Sequence, residues 1–362
     1  MQKEVSVGRV HNLSDVIISQ KHLSSLDGLR GVSIILVVLG HLSLSSNPLY
    51  FRVFNSSLGV NIFFVISGFL ITSLCLKERL QTGTISLKDF YIRRALRILP
   101  VAFLYIAVIY MLDVVLHFNI AYFQYLAALF FVMDLSYFRS HSNAILLGHY
   151  WSLSVEEQFY FIFPFILKQN YRLFFWSIIF IVCILPALCL LQQFAPMLNH
   201  GLPYYFTHYL IKFQSVAVGC LFALLVFKYS FSWITSFKIT GNLIASFLIF
   251  YLKYDDFYSI KAVYINLIIA ILIAYLIISN LLPARDVVFR FLNSRIMGFV
   301  GKLSYSIYIW QQLFTFGNAR LPLITRTFPL SLICIIAISL TSYFAYEQYF
   351  LKLKSRFSRL RS

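Results

Sequence analysis

From Gly31 onward the chain is a succession of long apolar runs separated by short polar connectors. Eleven segments are apolar over a helix-forming length: 31–46, 57–76, 98–116, 119–135, 156–167, 173–193, 203–227, 239–252, 260–282, 299–317 and 328–350. None alternates with the two-residue period of a membrane barrel strand. The pattern therefore predicts an all-α, polytopic helix bundle. A span needs roughly 20 apolar residues, so 362 residues supply about ten spans with short connections. The first thirty residues contain Glu4, Asp15 and Asp27 and lack the apolar centre of a signal peptide. With no fixed-period repeat and no linker, the expected organisation is a cytoplasmic segment 1–25, one membrane domain 26–350 and a basic tail 351–362, with no appended soluble domain.

Composition sharpens this picture. Only 12% of residues are charged and the mean hydropathy is +0.80, against about a quarter charged in soluble chains, which argues against a soluble enzyme. The net charge of +17 would suit a nucleic-acid binder only with a soluble basic module, and none is visible. An excess of Lys and Arg in cytoplasmic loops explains it instead. The basic tail and the segment 77–97 should both be cytoplasmic, so an even number of spans joins them, yet nine candidates lie between. If either 119–135 or 156–167 dips in without crossing, ten spans remain and both termini face the cytoplasm. Twenty-three of the 30 Lys and Arg then fall inside and six outside (Arg52, Arg139, Lys253, Lys261, Arg320 and Arg326), with Lys212 within a span. The sequence leaves open which segment is the odd one. Cys75, Cys183, Cys189, Cys220 and Cys334 lie in apolar runs without metal-ligand spacing and read as small buried hydrophobes.

Polar groups inside spans are costly and are candidates for function. Arg30 and His41 are eleven helical steps apart. That is close to three full turns, so both lie on one stripe, about 16 Å apart along the axis. A cation at the cytoplasmic rim and a titratable base near the membrane middle could hold a long ligand with an anionic end. A topology anchor and a histidine bonded to a neighbouring helix are the plainer alternatives. Arg93, Arg94 and Arg97 are helical neighbours whose planar forks match phosphate oxygens; a positive-inside cluster is the alternative there. Glu156 and Glu157 open an apolar segment after Trp151-Ser152-Leu153. Successive helical positions diverge by about 100°, so at most one should face a site, where it could orient His41. A solvated helix start explains the pair equally well. Lys212, Asp113, His117, His208, Asp134 and Glu347 read as structural, and Gly59 and Gly68 as close-packing positions. Hydrolase and nucleotidase motifs are absent.

Five motifs stand in order along the chain: Leu26-Asp27-Gly28-Leu29-Arg30-Gly31 with His41; Gly59-Val60-Asn61-Ile62-Phe63-Phe64-Val65-Ile66-Ser67-Gly68-Phe69-Leu70; Phe90-Tyr91-Ile92-Arg93-Arg94 with Arg97 and Pro100; Trp151-Ser152-Leu153 with Glu156 and Phe159-Tyr160; and Leu303-Ser304-Tyr305-Ser306-Ile307-Tyr308-Ile309-Trp310. In this set the chain resembles the acyltransferase-3 family, membrane O-acetyltransferases that decorate bacterial surface polysaccharides. The resemblance implies ten membrane helices in a bacterial plasma membrane, an acyl-CoA donor (acetyl-CoA by default) taken from the cytoplasm, and a glycan or lipid-linked saccharide hydroxyl as acceptor. It implies no metal. It also implies that Arg30, His41, Arg94 and Arg97 matter for activity and that Glu156 is the acidic position of the Trp-Ser-Leu motif. The chain departs from many relatives in carrying Gln311 where they have a histidine, which leaves more of the burden on His41.

The expected mechanism places donor phosphates on Arg94 and Arg97, with Arg93 nearby, and runs the pantetheine arm up the Arg30–His41 stripe. His41 would act as general base on the acceptor hydroxyl, Glu156 would orient its imidazole, and Arg30 would bind donor or stabilise developing charge. An acyl-His intermediate stays open. The rival from another class is a transporter or flippase of an anionic or lipid-linked sugar, with buried acids and histidines as a proton relay. No inverted repeat supports it.

Overall fold

The computed structural model of the chain describes residues 13–20, 22–42, 44, 50, 53–135, 137, 142–194, 201–231, 234, 237–254, 261–282, 284, 286–315, 322 and 327–357. Among these every regular element is helical and there is no strand, as the apolar runs predict. The outer-loop cations Arg52, Arg139, Arg320 and Arg326 and the tail residues Arg359 and Arg361 lie outside the described residues.

A short helix α1 (Leu13–Ser19) precedes α2 (Ser24–Leu42). The second begins before its apolar run and so takes Asp27 and Arg30 into the helix. Asp27 lies in the first turn, where a carboxylate suits the helix dipole. Helix α3 (Ser56–Thr82) starts where the Asn55 side chain accepts the Leu58 N–H. It stops at Gly83, whose φ of 79° lets its N–H close back on the Arg79 carbonyl. Helix α4 (Leu87–Leu116) is capped by Ser86 and runs for 30 residues, so all three arginines of the basic motif are helical.

Helix α5 (Tyr122–Leu129) has eight residues, about 12 Å of rise against a hydrocarbon core of about 30 Å. It cannot cross. After it Phe131 adopts a φ of 53°, and the chain is pinned rather than continued. Gln158 donates to the Phe131 carbonyl and to Asp134, and Lys212 donates to the Asp134 carbonyl at 2.6 Å and pairs with its carboxylate at 3.2 Å. Of the two candidates for the non-crossing segment, 119–135 is therefore the one whose helix is too short to span. The other candidate, 156–167, lies within α6 (Tyr150–Gln169), a full 20 residues.

Helix α7 runs Tyr171–Ile179, a π-helical turn Phe180–Ile184 and Leu185–Phe194. The wider turn lies just before Pro186, which has no N–H for the regular ladder. Helix α8 comprises Gly201–Leu210, a 3-10 turn Ile211–Phe213 and Gln214–Lys228. Then come α9 (Lys238–Tyr254), α10 (Lys261–Ser279), the short α11 (Val287–Leu292) and α12 (Arg295–Thr315). Helix α13 runs Leu330–Ser342, a second π-helical turn Tyr343–Glu347 and Gln348–Ser355.

Six helices among the described residues are long and apolar enough to cross a membrane: Ser24–Leu42, Ser56–Thr82, Leu87–Leu116, Tyr171–Gln192, Tyr204–Lys228 and Leu330–Lys354. The chain is a multi-pass membrane protein, but the expected count of about ten is not reached on this measure. Helix α6 carries Glu156 and Glu157 within it, α9 has only 17 residues, and α12 carries Lys302, Gln311 and Gln312. All five cysteines are free; Cys75, Cys189 and Cys220 are buried as expected, while Cys183 is exposed on the π-helical turn of α7.

The bundle packs around two apolar cores. One joins α2, α3, α8 and α10 through Ile34, Phe69, Val216 and Ile273. The other joins α4, α5, α6 and α12 through Tyr105, Ala128, Tyr150 and Trp310. Helices α3 and α8 touch backbone to backbone. A Cβ on Gly68 would collide with the Val216 carbonyl, and one on Gly219 with the Val65 carbonyl. Small residues that let backbones meet are the usual device for association in lipid, where burying apolar surface gains little.

Candidate active site

A half-open cleft with about 650 Å³ of empty space lies where the two cores meet. Val60 and Phe64 of the first core face Ile98 and Leu153 of the second across it. Val60, Phe63, Phe64, Ile98 and Leu153 give it an apolar wall, and Arg30, Arg94, Arg97 and Glu156 reach it alongside serine and tyrosine hydroxyls. Charge concentrated in a cleft of a membrane protein makes this the candidate functional site.

The three guanidiniums of α4 do three different things. Arg93 turns away, pairing with Glu78 at 3.2 Å and donating to the Phe357 carbonyl at 2.7 Å; it is not part of the cleft wall. Arg94 is held on every side. Its Nη2 meets Glu156 at 3.3 Å, its Nε meets Glu157 at 3.0 Å, and its guanidinium carbon lies 3.9 Å from the Tyr160 ring centroid. Arg97 lines the cleft and makes no hydrogen bond or ion pair with any described residue. Across from it, Arg30 pairs with Asp27 at 2.9 Å, and Asp27 also meets His22 at 2.8 Å. The cleft therefore offers one guanidinium with its hydrogen-bonding fork uncommitted and a second that keeps donors to spare. Planar forks of this kind are matched to phosphate oxygens.

Both carboxylates of the Glu pair reach Arg94, because that guanidinium sits between their diverging directions. Only Glu156 reaches the cleft, in keeping with the one-face expectation. Its other partner is Ser67, whose hydroxyl donates at 2.8 Å. Glu156 thus bonds Arg94 and Ser67, whereas the sequence reading expects it beside His41. That place is taken by Gln311, whose Oε1 lies 3.0 Å from His41 Nδ1. With the amide in this orientation, Nδ1 carries the proton and Nε2 the lone pair. The reason is topological. Helices α2 and α12 pack side by side, with Gly301 against the Asp27 backbone, so the lipid-depth position of His41 faces α12, while α6 delivers Glu156 one level closer to the arginines.

Motif residues with no individual role in the sequence argument turn out to shape the inner end of the cleft. Ser152 and Tyr308 line it, with their hydroxyls 2.5 Å apart and 3.2 and 3.1 Å from the His149 carbonyl, so their two protons serve two of these three contacts. The hydroxyl of Tyr305 donates to the Ile98 carbonyl at 2.6 Å, fixing α12 to α4. Glu347, placed inward by its π-helical turn, accepts from Ser306 at 2.5 Å. Their spacing within two aromatic motifs was the only signal for them in the sequence. Among the described residues no group of three or more His, Cys, Asp or Glu side chains could hold a metal ion.

A family model described as an acyltransferase domain matches residues 23–347. The O-acetyltransferase OatA of Staphylococcus aureus (strain NCTC 8325 / PS 47) is 29% identical over 322 residues, covering 81% of this chain and 50% of that protein. A Staphylococcus aureus (strain COL) protein provisionally named an O-acetyltransferase is 31% identical over 329 residues, 80% of this chain and 50% of the relative. The peptidoglycan O-acetyltransferase OatA of Listeria monocytogenes is 36% identical over 156 residues, 40% of this chain and 24% of that protein. The chain thus spans about half the length of the curated relatives it matches over most of its own length. No solved structure matches it. With the family model covering nearly all of the bundle, including every motif named above, the chain belongs to the acyltransferase-3 family of membrane acyltransferases.

Proposed function

We propose that the chain transfers an acyl group, acetyl by default, from cytoplasmic acyl-CoA to a hydroxyl of a cell-surface glycan or lipid-linked saccharide. Peptidoglycan is the first acceptor to test, since one relative is named for it. The observation that carries this reading is Arg97, a guanidinium in the cleft without a hydrogen bond to any described residue, with Arg30 opposite and the His41–Gln311 pair further along the same helix as Arg30. The donor's phosphates bind Arg97 and Arg30. Arg94, already compensated by two carboxylates, fixes the cleft wall that Arg97 projects from. The pantetheine arm extends along the Arg30–His41 stripe, about 16 Å long.

At the inner end, Nε2 of His41 takes the proton of the acceptor hydroxyl while that oxygen attacks the thioester carbonyl. The carbon–sulfur bond breaks, and the departing thiolate takes the proton back from His41. Gln311 holds the imidazole in the tautomer this requires. The assignment places both termini on the cytoplasmic side of a bacterial plasma membrane. It takes α6, α9, α10 and α12 as spans beside the six longer helices, with α5 as the partial segment.

The test compares surface glycans by mass spectrometry from cells carrying the wild type, His41→Gln or an empty vector. An ester mass shift in the wild type alone is expected, and its size identifies the acyl group. A shift that survives His41→Gln at equal protein levels moves catalysis off His41. Purified protein that binds the saccharide but leaves acyl-CoA intact would point to the transporter reading instead.

A further inference from the structure

His149 precedes α6 directly and is 4% exposed. Three tyrosine rings wall its imidazole, Tyr150 at 4.9 Å, Tyr105 at 5.1 Å and Tyr308 at 5.7 Å between centroids. Neither ring nitrogen has a hydrogen-bond partner among the described residues. A neutral imidazole brings one donor and one acceptor, and leaving both unmade in a buried place is costly. A phenylalanine would fill the same aromatic slot without that cost. The imidazole is therefore retained for something it binds.

Its surroundings indicate what that is. Further unpartnered polar atoms belong to the neighbouring stretch of α12, namely Trp310 Nε1 and Gln311 Nε2. The Trp310 ring lies 5.4 Å from Tyr105, the same ring that packs on His149. Gln311 is the partner of His41, and it lies three residues beyond Tyr308, whose ring packs on His149. His149 also sits directly behind the inner wall of the cleft, because Tyr308 and Ser152 bind its carbonyl.

The two ends of this site differ in chemistry. The cleft presents guanidiniums, fit for an anion. Around His149 stand aromatic faces with neutral donors and acceptors, the combination that suits a sugar, whose C–H faces lie on rings and whose hydroxyls need hydrogen bonds. We propose that His149, with Trp310 beside it, binds a hydroxyl-bearing face of the saccharide acceptor next to His41. This rests on the acyl-transfer reading above.

The experiment uses the full chain in lipid nanodiscs with acetyl-CoA and an N-acetylglucosamine pentasaccharide as probes. His149→Phe keeps the aromatic volume and removes both nitrogens, and His149→Asn restores a donor and an acceptor. The expected result is wild-type acetyl-CoA affinity in both variants, an acceptor KM raised about tenfold or more in His149→Phe, and partial recovery in His149→Asn. Wild-type acceptor KM in His149→Phe overturns the assignment, as does joint loss of acetyl-CoA binding and transfer, which would mark a packing role. Wild-type protein that leaves acetyl-CoA intact with the pentasaccharide present overturns the transfer reading itself, an outcome separable because it does not involve the variants.

Discussion

Gln311 Oε1 and His41 Nδ1 stand 3.0 Å apart on neighbouring helices, an amide in the place where a triad would put a carboxylate. The amide fixes ring orientation and tautomer but brings no negative charge toward an imidazolium. Gln311→Leu keeps most of the volume and removes the contact. It should lower kcat by roughly ten- to a hundredfold, the scale of a misplaced catalytic group, with acyl-CoA affinity unchanged. Gln311→His, which reinstates the residue many relatives carry, should retain more activity than Gln311→Leu. Equal kcat in Gln311→Leu and wild type would show that the contact does not position the base.

Arg94 and Arg97 are one helical turn apart and should separate cleanly on mutation. Arg97→Ala removes a guanidinium that makes no hydrogen bond or ion pair with any described residue, so stability should hardly change while acyl-CoA affinity falls. Arg94→Ala leaves Glu156 and Glu157 without their counter-charge in a half-buried site. Breaking a buried pair from one side costs about 3–5 kcal/mol, so the variant should express poorly or melt early in detergent. Adding Glu156→Gln and Glu157→Gln to Arg94→Ala should recover part of that stability. The comparison needs thermal melts alongside acyl-CoA titrations. Loss of donor affinity in Arg94→Ala with an unchanged melt would reassign Arg94 to direct donor binding.

Much of this arrangement was legible before any coordinates. Long apolar runs dictate helices, and the charge parity required one segment not to cross. The eight-residue length of α5 and the turn at Phe131 make 119–135 the candidate too short to span. Periodicity also put Arg94 and Arg97 on one helix. Which carboxylate meets which base was not legible, since it depends on how α2 sits against α12 rather than on spacing within either. Glu156 therefore meets Arg94, and Gln311, to which the motifs gave no role, meets His41. His149 escaped notice for a related reason. A lone histidine before an aromatic motif gains meaning only from the unpartnered state of its nitrogens, which is a property of packing.

The Gly68–Gly219 crossing gives a stability prediction independent of the site. Each Cβ would meet carbonyl backbone rather than a movable side chain, so the helices themselves must separate. Gly219→Val should destabilise by about 1–3 kcal/mol, the range for overpacking, and Gly68→Val similarly. The double variant should be less than additive, since one displacement of α3 from α8 relieves both. Thermal melts in one detergent check this. Full additivity would mean that the two glycines relax separately.

The segment around α5 makes the sharpest topological prediction. Tyr122 at its start and Tyr137 beyond its end are both exposed. If α5 turns back at Phe131 without crossing, these two positions lie on the same side of the membrane. Single cysteines at each, in a background lacking the native five, should react with the same membrane-impermeant thiol reagent in intact cells, or both fail to. Asp134→Ala removes the acceptor that holds this return to Gln158 and Lys212 and leaves a cation unpaired at membrane depth, so it should loosen the segment and raise its labelling rate. The sidedness should not change. Labelling of the two cysteines from opposite faces would instead make 119–135 a true span, invert every element after it, and place the basic C-terminal tail outside.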